Sequence, residues 1–233
     1  MPQRVVVAWA EDRGLWPHER LTAALGQLPD PMVREVLRRR RPQDRQAALL
    51  GRLLVRLALA TLGVAADFAH WTADRFGRPF LSGCPADVSV SHGDGLVAGA
   101  ACLGGRVGVD VAVVAPLPLA SLEAAFTPGE MADILVAGDQ ARRALELWTA
   151  KEAAIKADGR GLSLDPARID ARDTTIRLDG DVWRVWRCEV RPEGLCAVAT
   201  DQPACVVDIF EASCADGEPF VCEQTKKRLT WST

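Results

Sequence analysis

The chain has 233 residues, 48% of them hydrophobic and 25% charged, with 19 Gly and 14 Pro. These are the proportions of a globular chain able to bury one or two cores, and they exclude disorder, collagen and a coiled coil. A formal charge of −3 gives the whole molecule no electrostatic reason to bind nucleic acid or an anionic membrane.

Arg4 to Ala10 (RVVVAWA) reads as a short strand, because β-branched residues dominate and no helical stripe appears. Glu11 and Asp12 break the apolar run, so the expectation is neither a signal peptide nor a membrane span, and a cytoplasmic protein. A helical region follows, and a segment opened by Pro31 runs into Arg38, Arg39, Arg40 and Arg41 before Pro42 closes it. From about Asp44 to Leu62, Leu49, Leu50, Leu53, Leu54 and Leu57 recur at helical spacing, with Arg45, Arg52 and Arg56 on a neighbouring face and Gly63 as the stop.

The next region is extended: Phe68 to Ala73, a turn at Phe76-Gly77-Arg78-Pro79, then Val88 to His92, Leu96 to Cys102 and Val107 to Val114. After Pro116 and Pro118, Thr127 with Glu130 three residues on forms a capping-box start, and a further helix spans about Gln140 to Ala157. Thr175 to Val190 reads as strand, turn and strand around Asp179-Gly180, followed by a strand near Leu195 to Thr200. Helices then strands, twice over, predict an α+β protein of two similar lobes, residues 1–105 and 106–202. Residues 203–233 form a C-terminal extension with a strand near Cys205 to Phe210.

Seven cysteines, an odd number with no C-x-x-C pair, argue against a secreted disulfide framework and against zinc, and for reduced thiols packed in the core. The basic residues are 24 Arg and 4 Lys, and two of the four lysines, Lys151 and Lys156, stand in one helical segment. Lysine offers a compact ammonium with a tunable pKa, which guanidinium lacks. Asp110 lies inside the apolar strand Gly108-Val109-Asp110-Val111, where an uncompensated charge costs several kcal/mol by rough estimate, so it needs an Arg partner or a bound cation. Glu152 and Lys156 at i, i+4 share a helix face that runs into Gly159-Arg160-Gly161-Leu162-Ser163.

Carboxylates such as Asp110 and Glu152 suit Mg²⁺, which completes its shell with water and phosphate oxygens. Ser91 and His92, at a strand end before Gly93-Asp94-Gly95, are placed to donate to a phosphate. No G-x-S-x-G elbow supports a serine hydrolase. Residues 1–60 carry eleven Arg against six acids, a local excess that favours an anionic ligand near this half or a solvated basic face.

Taken in order, Phe76-Gly77-Arg78-Pro79-Phe80, Val88-Ser89-Val90-Ser91-His92, Gly108-Val109-Asp110-Val111 and Trp148-x-x-Lys151-Glu152-Ala153-x-x-Lys156 with Gly159-Arg160-Gly161-Leu162-Ser163 resemble the Sfp-type 4′-phosphopantetheinyl transferases. The resemblance spans residues 76 to 163. It implies a pseudo-twofold fold with the active site in the cleft between the lobes. The implied enzyme moves the 4′-phosphopantetheine arm of coenzyme A onto a serine of an acyl or peptidyl carrier protein and releases adenosine 3′,5′-bisphosphate. Such carriers serve fatty acid, polyketide or nonribosomal peptide synthesis, and the implied state is a monomer.

By motif position Gly77, Arg78 and Pro79 line the adenine end, Ser91 and His92 contact phosphate, and Asp110 and Glu152 bind Mg²⁺, or Mn²⁺ in its place. Lys156 approaches the pyrophosphate and the attacking serine. Glu152, a metal-activated water and Lys156 all stand as candidates for the base. Arg45 and Arg56 are the expected holders of the 3′-phosphate.

Many relatives carry Glu where this chain has Ala112, so one metal ligand is missing and water is expected in its place. That departure makes a non-catalytic binder of coenzyme A or of a carrier the alternative. Carrier docking is expected near Pro116 to Phe126, through Leu117, Leu119, Leu122 and Phe126.

Overall fold

A computed structural model describes residues 3–116, 123–213 and 221–230. Leu117, Leu119 and Leu122, expected to dock a carrier, lie outside the described residues. The first half contains β1 (Gln3–Glu11), α1 (His18–Leu25), α2 (Asp30–Leu37), α3 (Pro42–Thr61), β2 (Trp71–Ala73), β3 (Pro79–Leu81), β4 (Ala86–Gly93) and β5 (Leu96–Leu103). The second contains β6 (Val107–Val113), α4 (Pro128–Val136), α5 (Gln140–Asp158), β7 (Thr175–Leu178), β8 (Asp181–Arg191) and β9 (Gly194–Thr200), and the tail adds β10 (Cys205–Ser213) and β11 (Val221–Thr230).

Two sheets lie face to face between two long helices. The first has the order β11-β10-β1-β5-β4 and the second β6-β9-β8-β7, while β2 and β3 make a separate hairpin. One face of the first sheet packs on α3 through Val6, Val88 and Ala101, and one face of the second packs on α5 through Ile176, Val185, Ala197 and Ala199. The remaining faces meet in a shared core of Val5, Val7, Ala98, Val109, Val111, Trp186 and Val198. Strands covered on both faces lose the alternation of a half-exposed sheet, which explains the unbroken apolar runs at Val5–Ala10 and Leu96–Cys102, buried throughout.

Each helix sits directly on a strand at a glycine. A Cβ at Gly99 in β5 would lie 2.5 Å from the Val55 nitrogen of α3, and one at Gly108 in β6 would lie 1.9 Å from the Ala153 oxygen of α5. Only a residue without a side chain permits such an approach.

β10, read from the sequence as an extension beyond the second lobe, instead pairs in parallel with β1 of the first sheet. Asp208, wholly buried in β10, accepts from Arg4 at 2.8 Å and from Arg228 at 2.7 Å. The thiols of Cys102 and Cys205 are buried, which pushes them up to about 12 and about 11, so they pack as apolar groups. Among the described residues no helix is long and apolar enough to cross a membrane.

Candidate active site

The sheets meet where β4 and β6 run side by side without a backbone ladder between them. Val107, Val109 and Val111 instead donate their N–H groups to Asp87 Oδ2 (2.7 Å), Ser89 Oγ (3.1 Å) and Ser91 Oγ (3.3 Å). The constant offset means that three alternate side chains of β4 replace the carbonyls a neighbouring strand would supply. That period-two row of polar residues in an apolar strand is the sequence signal for the seam.

At the upper end of the seam, Ser91 donates to Asp110 Oδ1 at 2.7 Å. Lys156, on the last turn of α5, donates to the same oxygen at 2.6 Å and to Ser91 Oγ at 2.9 Å. The compensating cation for Asp110 is therefore a lysine and not an arginine, and Lys156 turns to Asp110 although Glu152 is its i−4 neighbour. Glu152 makes no hydrogen bond or ion pair with any described residue. Its carboxyl is held above the usual range by burial and by the charge of Asp110, against which Lys156 offers partial relief.

These residues line two contiguous cavities. One of about 320 Å³ has walls of Phe76, Gly77, Pro79, Trp148, Ile155 and Leu164, with Arg78, Glu152 and Lys156. The other, about 520 Å³, is lined by Ser91, His92, Asp110, Ala112, Leu145, Trp148, Glu152 and Lys156. The two acids, the lysine, the serine and the histidine thus converge from β4, β6 and α5 on one place. At Ala112 the wall is apolar, closed by Leu145 and Leu195.

His92 is exposed at the end of β4, and its imidazole is held below the ordinary value by partial desolvation and then by the charges of Arg39 and Lys156. Lowered in this way it is neutral at pH 7 and can donate one hydrogen bond.

Three expectations need correction. Arg56 is not on the cavity wall: it is exposed and donates to the Gln27 carbonyl at 2.6 Å, beyond the end of α1. Arg45 is absent from the walls as well, and its Nε holds the Arg39 carbonyl at 2.7 Å. The arginine whose charge reaches His92 is Arg39, and its only sequence signal was membership of the Arg38–Arg41 run. Phe126 is 5% exposed in the α5 core and offers no docking surface. Arg78 lines the first cavity, but its guanidinium is engaged by protein groups.

Lys151 is also internal. It and Glu130 are both 0% exposed and paired at 2.6 Å, and its ammonium further donates to the carbonyls of Ala125 (2.7 Å) and Pro166 (2.9 Å). Glu130 completes the predicted capping box with Thr127 and accepts from the Ala171 N–H at 2.9 Å. The pair fastens the start of α4 and the segment after α5 to the helix that carries Glu152 and Lys156.

The family described as the 4′-phosphopantetheinyl transferase superfamily matches residues 106–192, a span that includes Asp110, Glu152 and Lys156. A 4′-phosphopantetheinyl transferase (pptA) of Paxillus involutus is 27% identical over 202 residues, covering 76% of this chain and 77% of the relative. One of Bacillus subtilis (ffp) is 32% identical over 145 residues, 60% of this chain and 62% of the relative. The transferase Sfp of Bacillus subtilis strain 168 is 28% identical over 157 residues, 65% and 68% of the two chains. Motifs, fold and relatives agree in one likeness: the chain is similar to 4′-phosphopantetheinyl transferases of the Sfp type.

Proposed function

We propose that this protein moves the phosphopantetheine arm of coenzyme A to a serine of an acyl or peptidyl carrier domain, with adenosine 3′,5′-bisphosphate leaving. The observation that carries the reading is the convergence of Asp110, Glu152, Lys156, Ser91 and His92 on one cavity system.

Two carboxylates that repel each other across a cavity, as the raised Glu152 implies, are a fitting donor set for a dication that retains water. Asp110 and Glu152 would hold Mg²⁺, whose charge would neutralise pyrophosphate oxygens. Asp110 Oδ1 is already engaged by Ser91 and Lys156, which leaves Oδ2 for the cation.

Lys156 has three N–H donors, of which Asp110 and Ser91 use two; the third can meet a phosphoryl oxygen. The neutral imidazole of His92 can give a second donor at the mouth. The apolar wall of Phe76, Trp148, Ile155 and Leu164 suits a planar base or an uncharged arm. Fixed donors around a pyrophosphate are what in-line phosphoryl transfer requires, because its barrier is governed by positioning and by oxygen charge. The carrier serine can lose its proton to Glu152, to a metal-activated water or to Lys156. We place the enzyme in the cytoplasm, as a monomer.

The test is incubation of the purified chain with coenzyme A, Mg²⁺ and an apo carrier domain, read by mass spectrometry. A Mg²⁺-dependent gain of one phosphopantetheine on the carrier is expected. Binding of coenzyme A without any transfer would favour the non-catalytic reading that Ala112 raises.

A further inference from the structure

The lower end of the β4–β6 seam is closed by Arg78. Its backbone is fixed by a turn in which Asp74 Oδ1 accepts from the N–H groups of Phe76 (2.8 Å) and Arg78 (3.0 Å). From there the guanidinium, its side chain 12% exposed, reaches three elements. Nη1 donates to Asp87 Oδ1 at 2.8 Å and Nη2 to Asp87 Oδ2, a two-pronged pair. Nη2 also donates to the Val107 carbonyl at 3.1 Å, and Nε to the Lys156 carbonyl at 2.8 Å. Asp87 accepts from the Val107 N–H, so the Arg78–Asp87 pair brackets both polar groups of the first residue of β6. The passage exists because residue 159 is glycine: a Cβ there would lie 2.9 Å from Arg78 Cδ.

The last carbonyls of an α-helix lack partners inside the helix. Arg78 supplies one to Lys156, whose ammonium at the other end of the same residue donates to Asp110 and Ser91. Four donated hydrogen bonds occupy nearly all of the five N–H groups of the guanidinium, leaving little to offer a nucleotide.

We propose that Arg78, acting with Asp87, is a positioning residue. The pair locks β6 to β4 at Val107 and holds the last turn of α5 at the height from which Lys156 reaches Asp110. A lysine at position 78 cannot replace it, because a compact ammonium cannot bridge a carboxylate and two carbonyls on three elements at once. The catalytic part of this inference rests on the proposed transfer reaction.

The test uses Arg78→Lys, Asp87→Asn and their combination in the full chain, each assayed below its own melting temperature. Two readouts are needed: transfer kinetics with coenzyme A and a carrier domain, and amide hydrogen exchange at Val107. Each single change is expected to lower kcat by about 10²-fold, the cost of a misplaced catalytic group, with KM for coenzyme A within about twofold of wild type. The combined change should be no worse than either alone, and Val107 should exchange faster in all three. Should Arg78→Lys not fold, the near-isosteric Asp87→Asn carries the test. A raised KM with unchanged kcat in Arg78→Lys would show a substrate contact and overturn the proposal. So would wild-type kcat and wild-type Val107 exchange in Asp87→Asn. If the wild-type chain transfers nothing, the function reading falls, and the exchange data still decide whether the clamp exists.

Discussion

Glu152 holds its proton to higher pH in the fold than an unfolded glutamate does, because burial and Asp110 both disfavour its charge. The sign of the linkage follows. The stability this group contributes is present below its ordinary value of 4.5 and is lost as pH rises through the raised folded value. Glu152→Gln should therefore raise the metal-free melting temperature at pH 7 by calorimetry, while Mg²⁺-dependent transfer falls by about 10³-fold. His92 titrates the other way. Its Cε1 proton followed by NMR should report a pKa below 6.5 that rises when coenzyme A places phosphates beside it. Arg39→Ala should raise KM for coenzyme A by about tenfold, the worth of one charge-assisted hydrogen bond, whereas Arg56→Ala, on the Gln27 carbonyl, should leave it unchanged.

At the scale of the element, α5 and β6 act as one unit, because the helix rests on the strand at Gly108. Gly108→Ala should destabilise the protein by about 3 kcal/mol, the upper range for overpacking, since the contact is with backbone and cannot relax by a rotamer change. Denaturant titration would measure it. On the opposite side of α5, Lys151→Met leaves the wholly buried Glu130 without its cation. A loss of about 3–5 kcal/mol is expected from breaking such a pair, detectable in the same titration.

For the whole molecule, the tail closes the first sheet. Val207, Ile209 and Phe210 of β10 are at most 3% exposed, and without β10 the strand β1 would present an unpaired apolar edge. A chain ending at residue 203 should be insoluble on expression, while one retaining the described tail stays soluble; light scattering separates the outcomes.

Much of this architecture was legible because its signals are local. The capping box at Thr127 and Glu130 forms as spaced, and Asp179 and Gly180 take the positive φ angles of 48° and 100° that a tight hairpin demands. The helices expected over 44–62 and 140–157 appear as α3 and α5 within about two residues at each end. The motif residues Gly77, Arg78, Pro79, Ser91, His92, Asp110, Glu152 and Lys156 all reach the cavities, since each is carried by an element whose pattern could be read. Which partner each side chain chose was not legible. Lys156 bonds Asp110 and leaves its helical neighbour Glu152, Arg78 turns inward to Asp87, Arg39 and not Arg45 or Arg56 bears on His92, and β10 crosses back to β1. Spacing along a chain sets the face a side chain occupies, but a long cation or a strand edge selects among groups brought close by packing, and those neighbours stand tens to hundreds of positions away.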